Sequence, residues 1–410
     1  MADNTQFGNF NIWDGNDNSP IRTIDINEER RDIDISSEIS RYWPEENPFI
    51  SILMRASTNP VGSKRFSWWE KDRPEWWTEL TDDHTDSADT IEVDDAHFLN
   101  PKDLIKNVET GEIFFIKEIA ESGDNYELTV ERAVTEDSAS GWGTSAQASD
   151  GTDDEIFKLG NAMEENSRAP EAWATQPVKK HNYVQTFRDP FEGSNDAQSE
   201  GVRAGPDERQ RLRREKLFEH RTNIERQIIF GERKEWYDST EDKVRRMTGG
   251  IMQFLRETTG VTVYDLASEN NGVLTETEWK SFLSEGMKHG SRNKLFLTSR
   301  MVAQRLDEHA ASRIETTSGE EMYGLNLQTY LTTHGQVAIA TTELFENAYG
   351  SIGLLLDIGN LEFRPFAGEE SSLKTNIEEN DRDGWKDEYM TKAGLKLELP
   401  KTHAILEGVA

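Results

Sequence analysis

The chain contains no cysteine, which excludes a disulfide framework, a thiolate metal site and a cysteine nucleophile together. Long apolar runs are also missing, and no window reaches the roughly 20 apolar residues that a membrane-spanning helix requires. The apolar share of 34% is low for a globular chain while charged residues reach 30%, so much of the sequence is surface or extended arm. Positive charge is in deficit: 46 Lys and Arg stand against 78 Asp and Glu, leaving −32 at pH 7. Such a balance excludes a broad basic surface that neutralises phosphates, so any contact with DNA is weak and non-specific.

Signatures of chemistry are equally scarce. The eight histidines, His84, His97, His181, His220, His289, His309, His334 and His403, show no His-Glu-x-x-His spacing and read as solvated or structural. There is no phosphate-cradling Gly-Lys-Ser/Thr loop and no Gly-x-Ser-x-Gly elbow. Ala267 to Glu278 places Gly272 and Glu278 at the spacing of a calcium-binding loop, but Ala267 and Glu269 fill its first and third ligand positions. A turn followed by a helix start is the plainer expectation there. No catalytic, cofactor or metal residue is assigned.

What is present is an ordered succession of patterns over 410 residues, enough for two or three domains. Met1 to Pro20 is rich in Asn, Asp and Gly and lacks the apolar core of a secretory signal. It reads as the start of a flexible polar arm, anchored by Phe7, Phe10, Ile12 and Trp13, with assembly expected in the cytoplasm. Two short amphipathic pieces between Asp32 and Leu53 break at Pro44 and Pro48. Ser63 to Glu70 and Ala172 to Phe187 read as long, partly exposed strands. Between them a β-rich unit, about Ala88 to Leu159, carries strands at Thr90–Val93, Glu112–Ile119 and Tyr126–Arg132 and a polar loop, Thr135 to Asp154. An insertion thus interrupts what would otherwise be one long hairpin.

From Pro206 the spacing of Leu217, Ile224 and Ile228 predicts a long, mostly solvated helix over roughly Asp207 to Tyr237. After Thr248-Gly249-Gly250, helical pieces (Ile251–Arg256, Glu276–His289, Ser299–Ala311) alternate with strands at Lys294–Thr298, Gln328–Thr333, Gln336–Thr341, Ile352–Asp357 and Leu361–Pro365. A last pair, Leu395–Leu399 with Ala404–Glu407, is expected to close the chain. The class is α+β with a mixed sheet.

Eleven tryptophans, including Trp68-Trp69 and Trp76-Trp77, suit either a carbohydrate or base-stacking platform or an interface. On strands left exposed in a monomer the interface reading is favoured, because a neighbouring subunit can supply the missing partners. A carbohydrate-binding or hydrolytic surface protein stays as the alternative.

The order of these segments resembles the major capsid proteins of tailed double-stranded DNA viruses. Four stretches look like the branch whose extended loop carries a β-rich insertion: Asp34-Ile-Ser-Ser-Glu-Ile with Asn47-Pro-Phe-Ile-Ser-Ile-Leu, Phe66-Ser-Trp-Trp-Glu, Asn182-Tyr-Val-Gln-Thr-Phe and Thr248-Gly-Gly-Ile. Tyr330-Leu-Thr-Thr-His-Gly, Glu388-Tyr and Lys392-Ala-Gly-Leu look similar downstream. The resemblance implies the Hong Kong phage capsid fold. Its parts would be an N-terminal arm (1–26), the start of a peripheral domain (27–58) and an extended loop (59–200) with an insertion (88–159). A spine helix with more of the peripheral domain (201–248), an axial domain (249–387) and a return to the peripheral domain (388–410) would follow. It also implies a non-enzymatic subunit of the virion capsid that self-assembles as hexamers and pentamers into an icosahedral shell around packaged DNA. Portal, scaffold and cement proteins would be its partners, and no membrane. Arg65, Phe66, Trp68 and Trp69 on one loop strand, with Tyr183, Gln185 and Phe187 on the other, are the expected intersubunit contacts. A nanocompartment shell would share the fold.

Overall fold

A computed structural model describes residues 48–71, 76–85, 87–123, 125–132, 134, 154–167, 176–196, 208–310, 314–315, 328–369 and 371–410. The expected arm with its anchors, the amphipathic piece before Pro48, and most of the 135–154 loop lie outside the described residues. So do residues 172–175 at the start of the second long strand.

In chain order the elements begin with α1 (Pro48–Ala56), β1 (Arg65–Glu70), β2 (Trp77–Glu79), β3 (Thr90–Val93), β4 (Asp103–Asn107), β5 (Ile113–Ser122), β6 (Asn125–Glu131), β7 (Glu155–Asn161), β8 (Val178–Tyr183) and β9 (Gln185–Gly193). The long helix α2 (Glu208–Phe230) follows, then β10 (Lys234–Asp238), β11 (Lys243–Met247), α3 (Ile251–Glu257), β12 (Thr262–Asp265), α4 (Leu266–Asn270) and α5 (Glu276–Gly286). The remainder is β13 (Asn293–Thr298), α6 (Arg300–Ala310), β14 (Ile314–Glu315), β15 (Gln328–Leu331), β16 (Gln336–Thr341), β17 (Gly353–Leu356), β18 (Leu361–Pro365), β19 (Ser372–Lys374), β20 (Trp385–Leu397) and β21 (Ala404–Glu407). The chain divides into two compact units, 68–180 and the rest.

The inserted unit is a closed antiparallel barrel. Its six strands run β2-β7-β4-β5-β6-β3. Beyond the end of β2, Leu80 bridges Val93 of β3, so the last strand meets the first. Closure follows from alternation: Ile91, Val93, Ile105, Phe114, Ile116, Leu128, Val130 and Ile156 point inward and are buried, filling the barrel. One ion pair is buried with them. Arg132 donates from Nε to Glu112 Oε1 at 3.0 Å and from Nη2 to Oε2 at 2.7 Å, and its guanidinium lies 5.4 Å from the Phe114 ring centroid.

The larger unit holds a mixed seven-stranded sheet, β12-β21-β17-β13-β16-β15-β14. β12 with β21 and β13 with β16 are parallel, the other pairs antiparallel. Trp279 and Phe282 of α5, Val302 and Leu306 of α6 and Phe296 of β13 form its core. The thirteen-residue β20 is the spine of a second sheet. β9 pairs along one edge, from Trp385↔Gly193 to Ala393↔Gln185, while β18 and β19 share the other. The expected terminal pairing is corrected here. β21 pairs with β12 and β17 and not with β20, because its Ala404, Ile405 and Leu406 are wholly buried in the seven-stranded sheet.

The long helix also ends earlier than the spacing predicts. It stops at Phe230, and β10 and β11 form a separate antiparallel hairpin from 234 to 247. Gly231 explains the stop. A Cβ there would sit 2.3 Å from the Gln227 carbonyl oxygen and 2.7 Å from that of Thr248, so only glycine lets the returning chain approach so closely. At Ala267–Glu278 the calcium-loop spacing is the rest of the short α4, a turn through Asn271-Gly272 and the start of α5. The Thr275 hydroxyl accepts the Glu278 N–H at 3.3 Å, and the Glu278 carboxylate accepts the Tyr264 hydroxyl.

Candidate intersubunit surface

β1 and β8 form a two-stranded sheet of their own. A lone two-stranded ribbon is marginal in water, so the exposure along it is informative. Arg65 is exposed, with its guanidinium carbon 5.9 Å from the Tyr183 ring centroid across the ribbon. Trp69 is 63% exposed, with Lys179 Nζ 5.7 Å from its ring. Trp68 faces the other way and is buried, its Nε1 donating to Glu70 Oε1 at 2.5 Å. Phe66 and Tyr183 are half-buried.

Gln185 and Phe187, expected on the same loop strand, belong to β9 and the β20 sheet. Gln185 Oε1 accepts the Thr248 N–H at 3.0 Å, and Phe187 is buried. Sequence spacing joins residues 183 and 185; the structure puts them in different sheets, and the buried side chain anchored beside the change is that of Asn182. Its buried amide donates to the carbonyls of Gly249 and Leu395, at 3.0 and 2.6 Å, and its Oδ1 accepts the Gly249 N–H at 2.8 Å.

Sequence reasoning missed a second exposed feature, the β10–β11 hairpin. Tyr237 faces Val244 across it, 60% and 46% exposed, and Trp236 is 38% exposed. Beside it lies a groove of about 380 Å³ lined by Lys64, Gln185, Trp236, Arg246, Phe366 and Lys392. These cations are largely compensated: Arg246 pairs with Glu235 at 2.5 Å and Lys392 with Glu369. The signal available beforehand was the β-favouring pair Trp236-Tyr237 after Gly231, masked by the helix-like charge pattern around it.

Among the described residues no group of His, Asp and Glu is arranged to hold a metal ion, and no helix is long and apolar enough to cross a membrane. The polar side chains instead tie elements together. On α2, Arg209 and Arg213 both donate to the buried Asp387 of β20, and His220 bridges Asp189 Oδ2 at 2.5 Å and Thr391 Oγ1 at 2.7 Å.

The SU10 major capsid protein family matches residues 5–410. The chain belongs to that family. This capsid protein is therefore a structural component of the virion that associates with itself to form the shell, and not an enzyme. No curated protein matches its sequence. Among solved structures it is similar to the capsid of the native GTA particle, at 11% identity and a TM-score of 0.47, covering 93% of this chain and 97% of that one. It is also similar to the capsid of Myoviridae phage XM1, at 10% identity, TM-score 0.45 and coverage of 96% and 100%. A third likeness is to the SrpI encapsulin of Synechococcus elongatus PCC 7942, at 13% identity, TM-score 0.39 and coverage of 58% and 77%.

Proposed function

We propose that this capsid protein closes an icosahedral head of hexamers and pentamers around packaged double-stranded DNA, assembled in the host cytoplasm. The family match along residues 5–410 carries the reading. The β1–β8 ribbon, a lone two-stranded sheet with exposed residues along it in a single copy, is what a shell subunit needs from its neighbours. In this reading residues 59–200 are an extended loop with 88–159 inserted, α2 is a spine helix, 249–387 an axial domain, and 1–26 an arm. Residues 388–410 return to the peripheral domain. Arg65, Phe66, Trp69 and Tyr183 meet a neighbouring copy, whereas Trp68, Gln185 and Phe187 hold the contact strands in shape. Portal, scaffold and cement proteins complete the head, and packaged DNA is touched weakly.

Negative-stain microscopy of the full chain, expressed alone and with the neighbouring structural genes, tests the proposal. Closed, uniform shells are expected; a monodisperse monomer under every condition would refute it. Arg65→Glu should lower shell yield while leaving the subunit's thermal unfolding unchanged. An unaltered yield would remove the ribbon from the interface.

A further inference from the structure

The outer wall of the barrel carries a face that shell building does not explain. On β2 and β7, Trp77 stands directly opposite Phe157, and Glu79 directly opposite Glu155. Thr78, Leu80 and Ile156 between them point inward and are buried, so alternation puts the other four on the outside. Trp77 is 55% exposed, and Leu159, two residues beyond Phe157 on the same strand, is 46% exposed. The row continues across β4 to the half-buried Lys106, opposite Phe157.

The carboxylate pair is the informative part. Like charges placed directly across a sheet destabilise it, and both Glu79 and Glu155 are exposed with no ion-pair or hydrogen-bond partner for either carboxylate among the described residues. Many other exposed carboxylates of the chain are paired, as Glu192 is with Arg382 and Glu257 with Arg233. The imbalance extends to the whole inserted unit, whose 113 residues hold 28 acidic against 10 basic side chains. It carries more than half of the chain's net negative charge in little more than a quarter of its length.

We propose that this face docks a cationic segment of a separate protein, with a Lys or Arg laid over Trp77 and held between the carboxylates of Glu79 and Glu155. A cation over an exposed indole gains from the ring's negative face, and the same cation relieves the repulsion between the two carboxylates. Charge complementarity selects this occupant. A second copy would bring another acidic barrel, and like-charge juxtaposition suppresses such a pairing. A neutral glycan would stack on the tryptophan but leave the carboxylate pair uncompensated. Repetition of the face over a shell would turn a weak single contact into a strong multivalent one.

The test titrates the full-length protein with a fluorescent eight-residue peptide of Arg and Lys and reads anisotropy at low and high salt. The joint variant Glu79→Gln with Glu155→Gln should weaken binding about tenfold or more, and Trp77→Ala by about threefold, while raised salt weakens the wild type. Glu118→Gln with Glu121→Gln removes two exposed carboxylates of β5 and should leave affinity within about twofold. Equal loss in both double variants would overturn the proposal, since binding would then follow diffuse charge. So would displacement of the peptide by a neutral oligosaccharide in a Trp77-dependent manner, or affinity indifferent to all three variants. The glutamine variants keep size and shape, so they separate lost recognition from lost folding, and shell yield of the same preparations reports on assembly independently.

Discussion

Glu225 sits at the junction of three elements. It projects from α2, is 1% exposed, and its carboxylate accepts the Ile50 N–H of α1 at 3.3 Å and the Thr342 hydroxyl before the 3-10 turn at 343–345 at 3.4 Å. Burial pushes its pKa up to about 7, against the opposing pull of those two donors. The folded state therefore holds its proton more tightly than the unfolded chain does. Its contribution to stability is fully present below about pH 4.5 and is lost as pH rises to about 7. Glu225→Gln should remove that dependence and stabilise the subunit at pH 8 by roughly 2–3 kcal/mol, read by chemical denaturation. His403 acts in the opposite sense. Its buried Nδ1 accepts the Asp357 N–H at 3.0 Å, and burial, with the Lys294 ammonium nearby, lowers its pKa to about 3. Stability that depends on neutral His403 is complete above about pH 6.5 and is lost as pH falls toward 3. His403→Gln should flatten the acid limb of the stability profile while leaving the limb near neutrality in place.

α2 is legible in sequence as a helix but not as a braced one. Its apolar residues are few, and only Ile224, Ile228 and Ile229 are buried among aliphatic side chains. Polar tethers do the rest. Asp387 is wholly buried; burial raises its pKa, but Arg209, the Asn376 N–H and Arg213 together outweigh that and hold it below the usual carboxylate range. Asp387→Asn leaves two guanidiniums without a full counter-charge and should cost roughly 1–3 kcal/mol, discounted because Arg213 is partly solvated, with the loss measured by urea denaturation. Such partners lie some 175 residues away in sequence, so no local pattern could announce them. Three strands of the barrel, by contrast, are legible in sequence, because stretches such as Ile91–Val93 and Glu127–Glu131 place every second side chain in the core, whereas β2, β4 and β7 are not. Partner choice did not follow from period: β21 reads as the mate of β20 only until the burial of both its faces is known.

At the scale of the whole molecule, charge is the governing quantity. Copies bearing −32 each repel one another at low ionic strength, so shell yield should rise with salt, followed by light scattering at fixed protein concentration. A yield that ignores salt would show that repulsion is not limiting. Residues 88–159 are legible in sequence as β-rich, but the strand Trp77–Glu79 that completes the barrel is not, since three residues show no visible period. The exposed residues Arg65 and Trp69 were found through their types; Phe187 was not separable from them, since burial is a property of the sheet it joins. The chain enters the barrel on β1 and leaves it on β8, and these two strands are hydrogen-bonded neighbours. Their adjacency makes the insertion a cassette: everything from 71 to 177 could be exchanged for a short turn, or for a different module, without re-routing any other strand. Lineages sharing the surrounding frame are then free to gain, lose or swap what they display at that one port.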